Sequence, residues 1–139
     1  MGVFTEIRSA LSGRLATLND SPAVAWENAE FKRTNGIEYI AEFFLPGDTV
    51  QAGGGKYGVN SEIGTYQINV MTPKTKGWGR AVDVADAVAD HFPRGLYLPY
   101  GAVVVRIGDV SIGNSLTEDL FYLTPVKIRY NLFTKPRGI

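Results

Sequence analysis

The sequence predicts an α+β fold, a mainly antiparallel β-sheet with two helices packed on one face. Three observations lead there. Two segments, one at the N-terminus and one from Arg80 to Phe92, repeat apolar residues at helical spacing. Between and after them, several runs alternate apolar and polar residues with the two-residue period of a strand. The order is helix, strands, helix, strands, without the regular alternation that builds a parallel sheet.

Phe4, Ile7, Leu11, Leu15 and Leu18 recur at steps of three and four, with Arg8 and Arg14 elsewhere around the wheel. This is an amphipathic helix of about four turns. Asn19-Asp20-Ser21-Pro22 stops it, because proline cannot continue a helix and Asn and Asp favour turns. Residues 23–26 read as a short extended segment and Thr34-Asn35-Gly36 as a turn. From Ile37 to Leu45 the chain is rich in β-branched and aromatic residues, with Tyr39, Ala41 and Phe43 on one face and Glu38, Ile40, Glu42 and Phe44 on the other. The second face mixes acids with apolar groups, as on a strand that is covered over part of its length. Pro46-Gly47-Asp48 reads as a turn, followed by a long loop.

Gly64 to Met71 alternates cleanly, with Tyr66, Ile68 and Val70 against Thr65, Gln67 and Asn69. It predicts a half-buried strand antiparallel to 37–45. Residues 73–79 break it. The second helix, Arg80 to Phe92, puts Ala81, Val84, Ala85, Val88 and Phe92 on one face and Asp83, Asp86 and Asp90 on another, and Pro93-Arg94-Gly95 ends it. The C-terminal third reads as a strand over Ala102–Ile107, a turn at Gly108-Asp109 and a short return over Val110–Ile112. A final run from Leu120 to Phe133 sets Val126, Ile128, Tyr130 and Leu132 against Lys127, Arg129 and Asn131. Being long, amphipathic and terminal, it reads as an edge strand open to a partner.

The 139 residues fit one domain spanning 1–139, with no internal repeat and no linker. Lys plus Arg and Asp plus Glu number 14 each, so the formal net charge is zero. A nucleic-acid binder driven by electrostatics would carry a basic excess. Neutrality also removes a repulsion that keeps proteins apart. The chain has no cysteine, which excludes disulfides, thiolate metal sites and cysteine nucleophiles. Met1 to Glu6 lacks the apolar core of a signal peptide, and no apolar run approaches the roughly 20 residues of a membrane helix.

Catalytic motifs are sparse. His91 is the only histidine, and its neighbour Asp90 leaves the helix about 100° away, so the two cannot form a base-and-orienter pair. A histidine at a helix C-terminus interacts well with the helix dipole, which explains it without catalysis. Asp83, Asp86 and Asp90 share a helix face and read as a solvated surface whose first acids offset the dipole. Gly53-Gly54-Gly55-Lys56 evokes a phosphate loop, yet Val50 and Tyr57 stand where Gly and Ser or Thr are needed. The same segment reads as a flexible hairpin tip, or as a tip that orders against a neighbour with Tyr57 as aromatic anchor and Lys56 as rim charge. Lys127 and Arg129 could face an acidic partner or passing DNA, though two positive charges on an alternating strand are more often plain solvent-side residues.

The pattern as a whole carries a resemblance. Trp26-Glu27-Asn28, the strand ending Phe44-Leu45-Pro46, Gly64-Thr65-Tyr66-Gln67-Ile68-Asn69-Val70, Pro73, Gly77 and the helix to Phe92 together resemble the tail terminator-like proteins of long-tailed bacteriophages. The resemblance is clearest over residues 26–92, and the C-terminal third is less diagnostic. It implies a homohexameric ring at the head-proximal end of the virion tail, assembled in the host cytoplasm. Such a ring ends tube polymerisation and offers the surface that joins the head. It implies as partners other copies of the chain, the tail tube protein and a head-completion or connector protein, with DNA passing through without specific binding. It implies no cofactor, no metal, no membrane and no catalytic residue. The candidate interface residues are Gly53, Gly54, Gly55, Lys56, Tyr57, Lys127 and Arg129. Alternatives are a tail tube or head-completion protein, which stacks or adapts rather than caps, and a small hydrolase or ligand-binding domain that uses His91.

Overall fold

The structure, a computed structural model, describes residues 2–27 and 29–136. Met1 and Asn28, the last residue of the Trp26-Glu27-Asn28 segment, lie outside them. Helix α1 spans Val3–Ala16 and α2 spans Trp78–Asp90. The strands are β1 (Ala23–Ala25), β2 (Tyr39–Gln51), β3 (Asn60–Pro73), β4 (Tyr97–Tyr100), β5 (Val103–Ile112), β6 (Leu116–Glu118) and β7 (Phe121–Thr134). They form one sheet in the order β1-β2-β3-β7-β5-β4, with β6 beside β7. Strand β1 runs parallel to β2, and the other pairings are antiparallel.

Both helices cover the same face of this sheet. Ile7, Leu11 and Leu15 of α1 are buried with Ala81, Val84, Ala85 and Val88 of α2 and with Phe92 just beyond it. Opposite them lie Ile40, Tyr66, Ile68, Val70, Val126 and Ile128, every second residue of β2, β3 and β7. Each such side chain contributes about 1.5–3 kcal/mol when fully buried. The result is the α+β architecture that the periodicities predict. A smaller cluster closes one end of the opposite face: Phe31 packs on Tyr39 at 4.9 Å, Tyr39 on Phe121 at 5.7 Å, and Arg33 lies 5.0 Å over the Phe121 ring.

Several boundaries differ from the sequence reading, each for a physical reason. Pro46-Gly47-Asp48 is a β-bulge and not a turn. Pro46 pairs with Gly64 and Thr49 with Glu62, so β2 accommodates one extra residue and runs on to Gln51. Beyond Ala41 this strand has no second strand neighbour among the described residues, and a proline is tolerated at an edge. The expected long loop is therefore a long hairpin with a short tip at 52–59. Gly108-Asp109 is likewise a bulge inside the continuous β5, between the Ile107–Tyr130 and Val110–Ile128 pairs. The expected edge strand β7 lies inside the sheet, between β3 and β5. Its Pro125 sits where the second partner changes from β5 to β6, and the Gly113 N–H donates to the Pro125 carbonyl at 2.8 Å. Helix α2 begins at Trp78, two residues before the expected start, so Asp83 and Asp86 lie past its first turn and do not cap the dipole there.

A candidate assembly surface on the uncovered sheet face

The face of the sheet turned away from the helices carries a mixture of cations and large apolar groups. Cross-strand register builds it in rows. Phe43, Gln67, Lys127 and Ser111 form one row. Leu45, Thr65 and Arg129 form the next. Ile63, Asn131, Arg106 and Tyr97 form the third. Leu45 is 47% exposed, Ile63 49%, Tyr97 61% and the nearby Phe133 69%. Large apolar side chains gathered on one exposed sheet face mark a candidate interaction surface.

The two bulges shape this face. One lies in β2 opposite Ile63 and the other in β5 opposite Arg129, so the flanking strands bend on either side of the central β3–β7 pair. Between them is a concavity of about 510 Å³ whose lining includes Leu45, Ile63, Arg94, Arg106, Arg129 and Asn131. On the helix-covered side of the sheet the buried Tyr130 ring lies over its register partner Gly64, which has no side chain. A Cβ at Gly64 would collide with the Tyr130 phenol. Arg94 is bridged to Asp109 at 2.6 Å. Arg106, Lys127 and Arg129 form no ion pair among the described residues.

The seven candidate residues named from sequence do not all meet. Lys127 and Arg129 are exposed on the uncovered face. Gly53 to Tyr57 form the β2–β3 tip beyond Asn60, which is itself five residues along β3 from the Thr65–Arg129 pair, or roughly 17 Å at strand rise. The tip is organised by its own hydrogen bonds. Gln51 Nε2 donates to the carbonyls of Gly53 at 2.7 Å and Gly55 at 3.1 Å, and the Ala52 and Gly53 N–H groups donate to the Val59 carbonyl. Tyr57 stands 73% exposed with Lys56 Nζ 5.5 Å from its ring centre. Sequence reasoning missed Arg94, Arg106 and Leu45. The alternation of Val103, Val105 and Ile107 against Arg106 could have flagged the arginine, but the bulge that brings it beside Arg129 leaves no such trace.

Beneath the helices the electrostatics are structural. Glu42 is buried, and its carboxylate accepts from the Tyr66 phenol at 2.5 Å, Ser12 Oγ at 2.7 Å and the Glu27 N–H at 3.1 Å, with Arg8 Nη2 3.6 Å away. Burial, reinforced by the Glu42 hydrogen bond and charge, pushes the Tyr66 phenol well above its ordinary value. Burial and the charge of Glu62 do the same to Tyr130. Buried Glu62 accepts from Thr49 Oγ1 at 2.6 Å and Thr134 Oγ1 at 3.3 Å. Glu6 accepts from the Ala102 N–H at 2.6 Å and so ties α1 to the β4–β5 turn. Arg80 grips Glu38 through Nε and Nη2 at 2.8 and 2.5 Å, which lowers the Glu38 carboxyl.

His91 is a clamp between helix ends. Its Nε2–H donates to the Arg14 carbonyl at 2.8 Å, with Thr17 Oγ1 equally near, and Arg14 Nε donates back to the His91 carbonyl at 2.9 Å. Asp83, Asp86 and Asp90 are exposed along the back of α2. Among the described residues no group of three His, Cys, Asp or Glu side chains is placed to hold a metal, and no helix is long and apolar enough to cross a membrane.

Comparison with known proteins bears on the family and the fold. One solved structure, which carries no functional description, is 28% identical over 96% of this chain and 97% of its own, with a TM-score of 0.73. A chain from the virion of a native gene transfer agent (GTA) particle shares the fold at 16% identity, covering 95% of each chain with a TM-score of 0.57. No curated protein matches the chain. The phage tail terminator protein family matches residues 6–130. The chain belongs to that family, and it is a structural protein of a phage tail.

Proposed function

We propose that the protein is a ring subunit that caps the head-proximal end of the tail tube. The ring, a homohexamer, ends tube polymerisation and then presents the surface to which the head is joined. Its partners are other copies of itself, the tail tube protein and a head-completion or connector protein, and DNA passes through it without specific binding. The whole chain acts as one domain in this role, with the virion tail as its final place and the host cytoplasm as its place of assembly. No cofactor and no catalytic step enter the proposal.

The observation that carries the reading is the uncovered sheet face, with exposed Leu45, Ile63, Tyr97 and Phe133 beside cations that form no ion pair among the described residues. Aromatic residues and arginine are enriched at protein interfaces, and a face of this kind is stabilised when a partner covers it. The projecting tip at 53–57 and the open edge of β2 beyond Ala41 offer further contacts, and Lys127 and Arg129 lie on the face itself. A head-to-tail contact between identical subunits must either close or grow without limit. Light scattering after size exclusion, combined with negative-stain images, tests the proposal. A discrete ring that does not lengthen is expected, whereas extended tubes would indicate a tail tube protein. The reading that uses His91 as a catalytic base predicts an activity near neutral pH that His91→Ala abolishes, against the folded clamp seen at Arg14 and Thr17.

A further inference from the structure

The molecule has two broad outer faces of opposite character, and they lie on opposite sides of a two-layer fold. The uncovered sheet face carries Arg106, Lys127 and Arg129, which form no ion pair among the described residues. On the other side, the buried stripe of α2 is Ala81, Val84, Ala85 and Val88. At 100° per residue, Asp83, Asp86 and Asp90 project from the helix opposite that stripe, and all three are exposed. Three acids therefore stand exposed on the back of α2 and three cations on the uncovered sheet face.

We infer that the uncovered sheet face is the docking site for the acidic back of α2 from a second copy of the chain. This rests on the ring proposal and specifies which surfaces of neighbouring copies meet. Charge complementarity selects the occupant. A copy docked this way sets carboxylates against Arg106, Lys127 and Arg129, and covers Leu45 and Ile63 at the same time. The apolar content argues for a protein here, since a phosphate backbone recognises cations and has no use for exposed Leu, Ile, Phe and Tyr side chains. The contact is heterologous, because it joins different faces of identical subunits, and a docked pair still has one face of each kind free for further copies.

Charge reversal tests this directly. The variants are Lys127→Glu/Arg129→Glu, Asp86→Lys/Asp90→Lys and the chain carrying all four changes. Assembly is read by light scattering over a concentration series, with circular dichroism as the check on folding. All four positions are exposed. Each two-residue variant should raise the concentration for half-assembly about tenfold or more. The four-residue variant, and an equimolar mixture of the two-residue variants, should recover assembly, because opposite faces are complementary again. Wild-type rings with both two-residue variants assembling within twofold of wild type would overturn this contact and leave the ring proposal standing. Wild-type protein that stays monomeric, alone and with the tail tube protein, would overturn both. If Lys127→Glu/Arg129→Glu assembles normally but loses binding of a duplex oligonucleotide, the face serves nucleic acid and the inference fails.

Discussion

Tyr66→Phe is the substitution whose consequences the structure specifies most fully. The Tyr66 phenol is buried and donates to the Glu42 carboxylate at 2.5 Å. At neutral pH its removal takes away one hydrogen bond to a charged acceptor, an interaction of about 1.5–3 kcal/mol. Ser12, the Glu27 N–H and Arg8 remain on Glu42, so the loss falls toward the lower end of that range. The alkaline side is more diagnostic. The folded-state value of the phenol is raised, by burial first and then by Glu42, from an ordinary 10.0. A raised value means that the folded protein holds the proton longer than the unfolded chain does. The associated stability is complete below pH 10 and is lost as pH climbs toward the folded value. With an unfolded value of 10.0, one such phenol forfeits about 1.4 kcal/mol by pH 11. Tyr130, also buried and also raised, adds a similar amount, so the wild type should lose about 2.8 kcal/mol between pH 8 and pH 11. Urea unfolding followed by circular dichroism at pH 8, 9, 10 and 11 measures this. Tyr66→Phe should start lower and lose only about half as much over the same interval. An alkaline loss equal to that of wild type would refute the buried, protonated phenol.

Other consequences follow from particular contacts. His91→Ala removes the donor to the Arg14 carbonyl and should cost about 1 kcal/mol in thermal or urea unfolding, with assembly unchanged. Gly64→Ala drives a methyl into the Tyr130 phenol and should destabilise by about 1–3 kcal/mol, an effect that the further change Tyr130→Phe relieves in part. Arg80→Ala removes the two-pronged grip on Glu38, whose carboxyl is lowered by that hydrogen bond. That stabilisation is present above the ordinary carboxylate range and fades as pH falls through the lowered value, so the variant should lose up to about 1 kcal/mol at pH 7 and little at pH 2. Replacing Gly53–Tyr57 by a two-residue turn should leave the far-ultraviolet dichroism intact and weaken assembly, read by light scattering.

Much of the fold was legible because its signals are local. The stripe of Ile7, Leu11 and Leu15, the alternation of Tyr66, Ile68 and Val70, and the face of Val84, Ala85 and Val88 each repeat with the period of their element. What was not legible depends on partners distant in sequence. Pro46-Gly47-Asp48 and Gly108-Asp109 have the composition of turns, and only their neighbours Ile63 and Arg129 make them bulges. Strand β7 looked like an edge because its alternation describes faces and says nothing of how many strands flank it. Glu42 appeared to be a partly covered acid, whereas Tyr66 and Ser12 from other elements let it be buried at 3% exposure. The candidate assembly surface was legible only in part. Lys127 and Arg129 stood out from the strand pattern, but the concavity beside Arg106 and Arg94 is a product of the two bulges.

The central claim is that this chain closes into a capping ring. The most direct measurement is its solution mass over a concentration series, alone and after addition of the tail tube protein, with negative-stain images of the largest species. The account predicts a discrete six-fold ring that sits at tube ends and does not lengthen. A monomer at every concentration even with tubes present, or tubes that grow without limit from this chain alone, would contradict it.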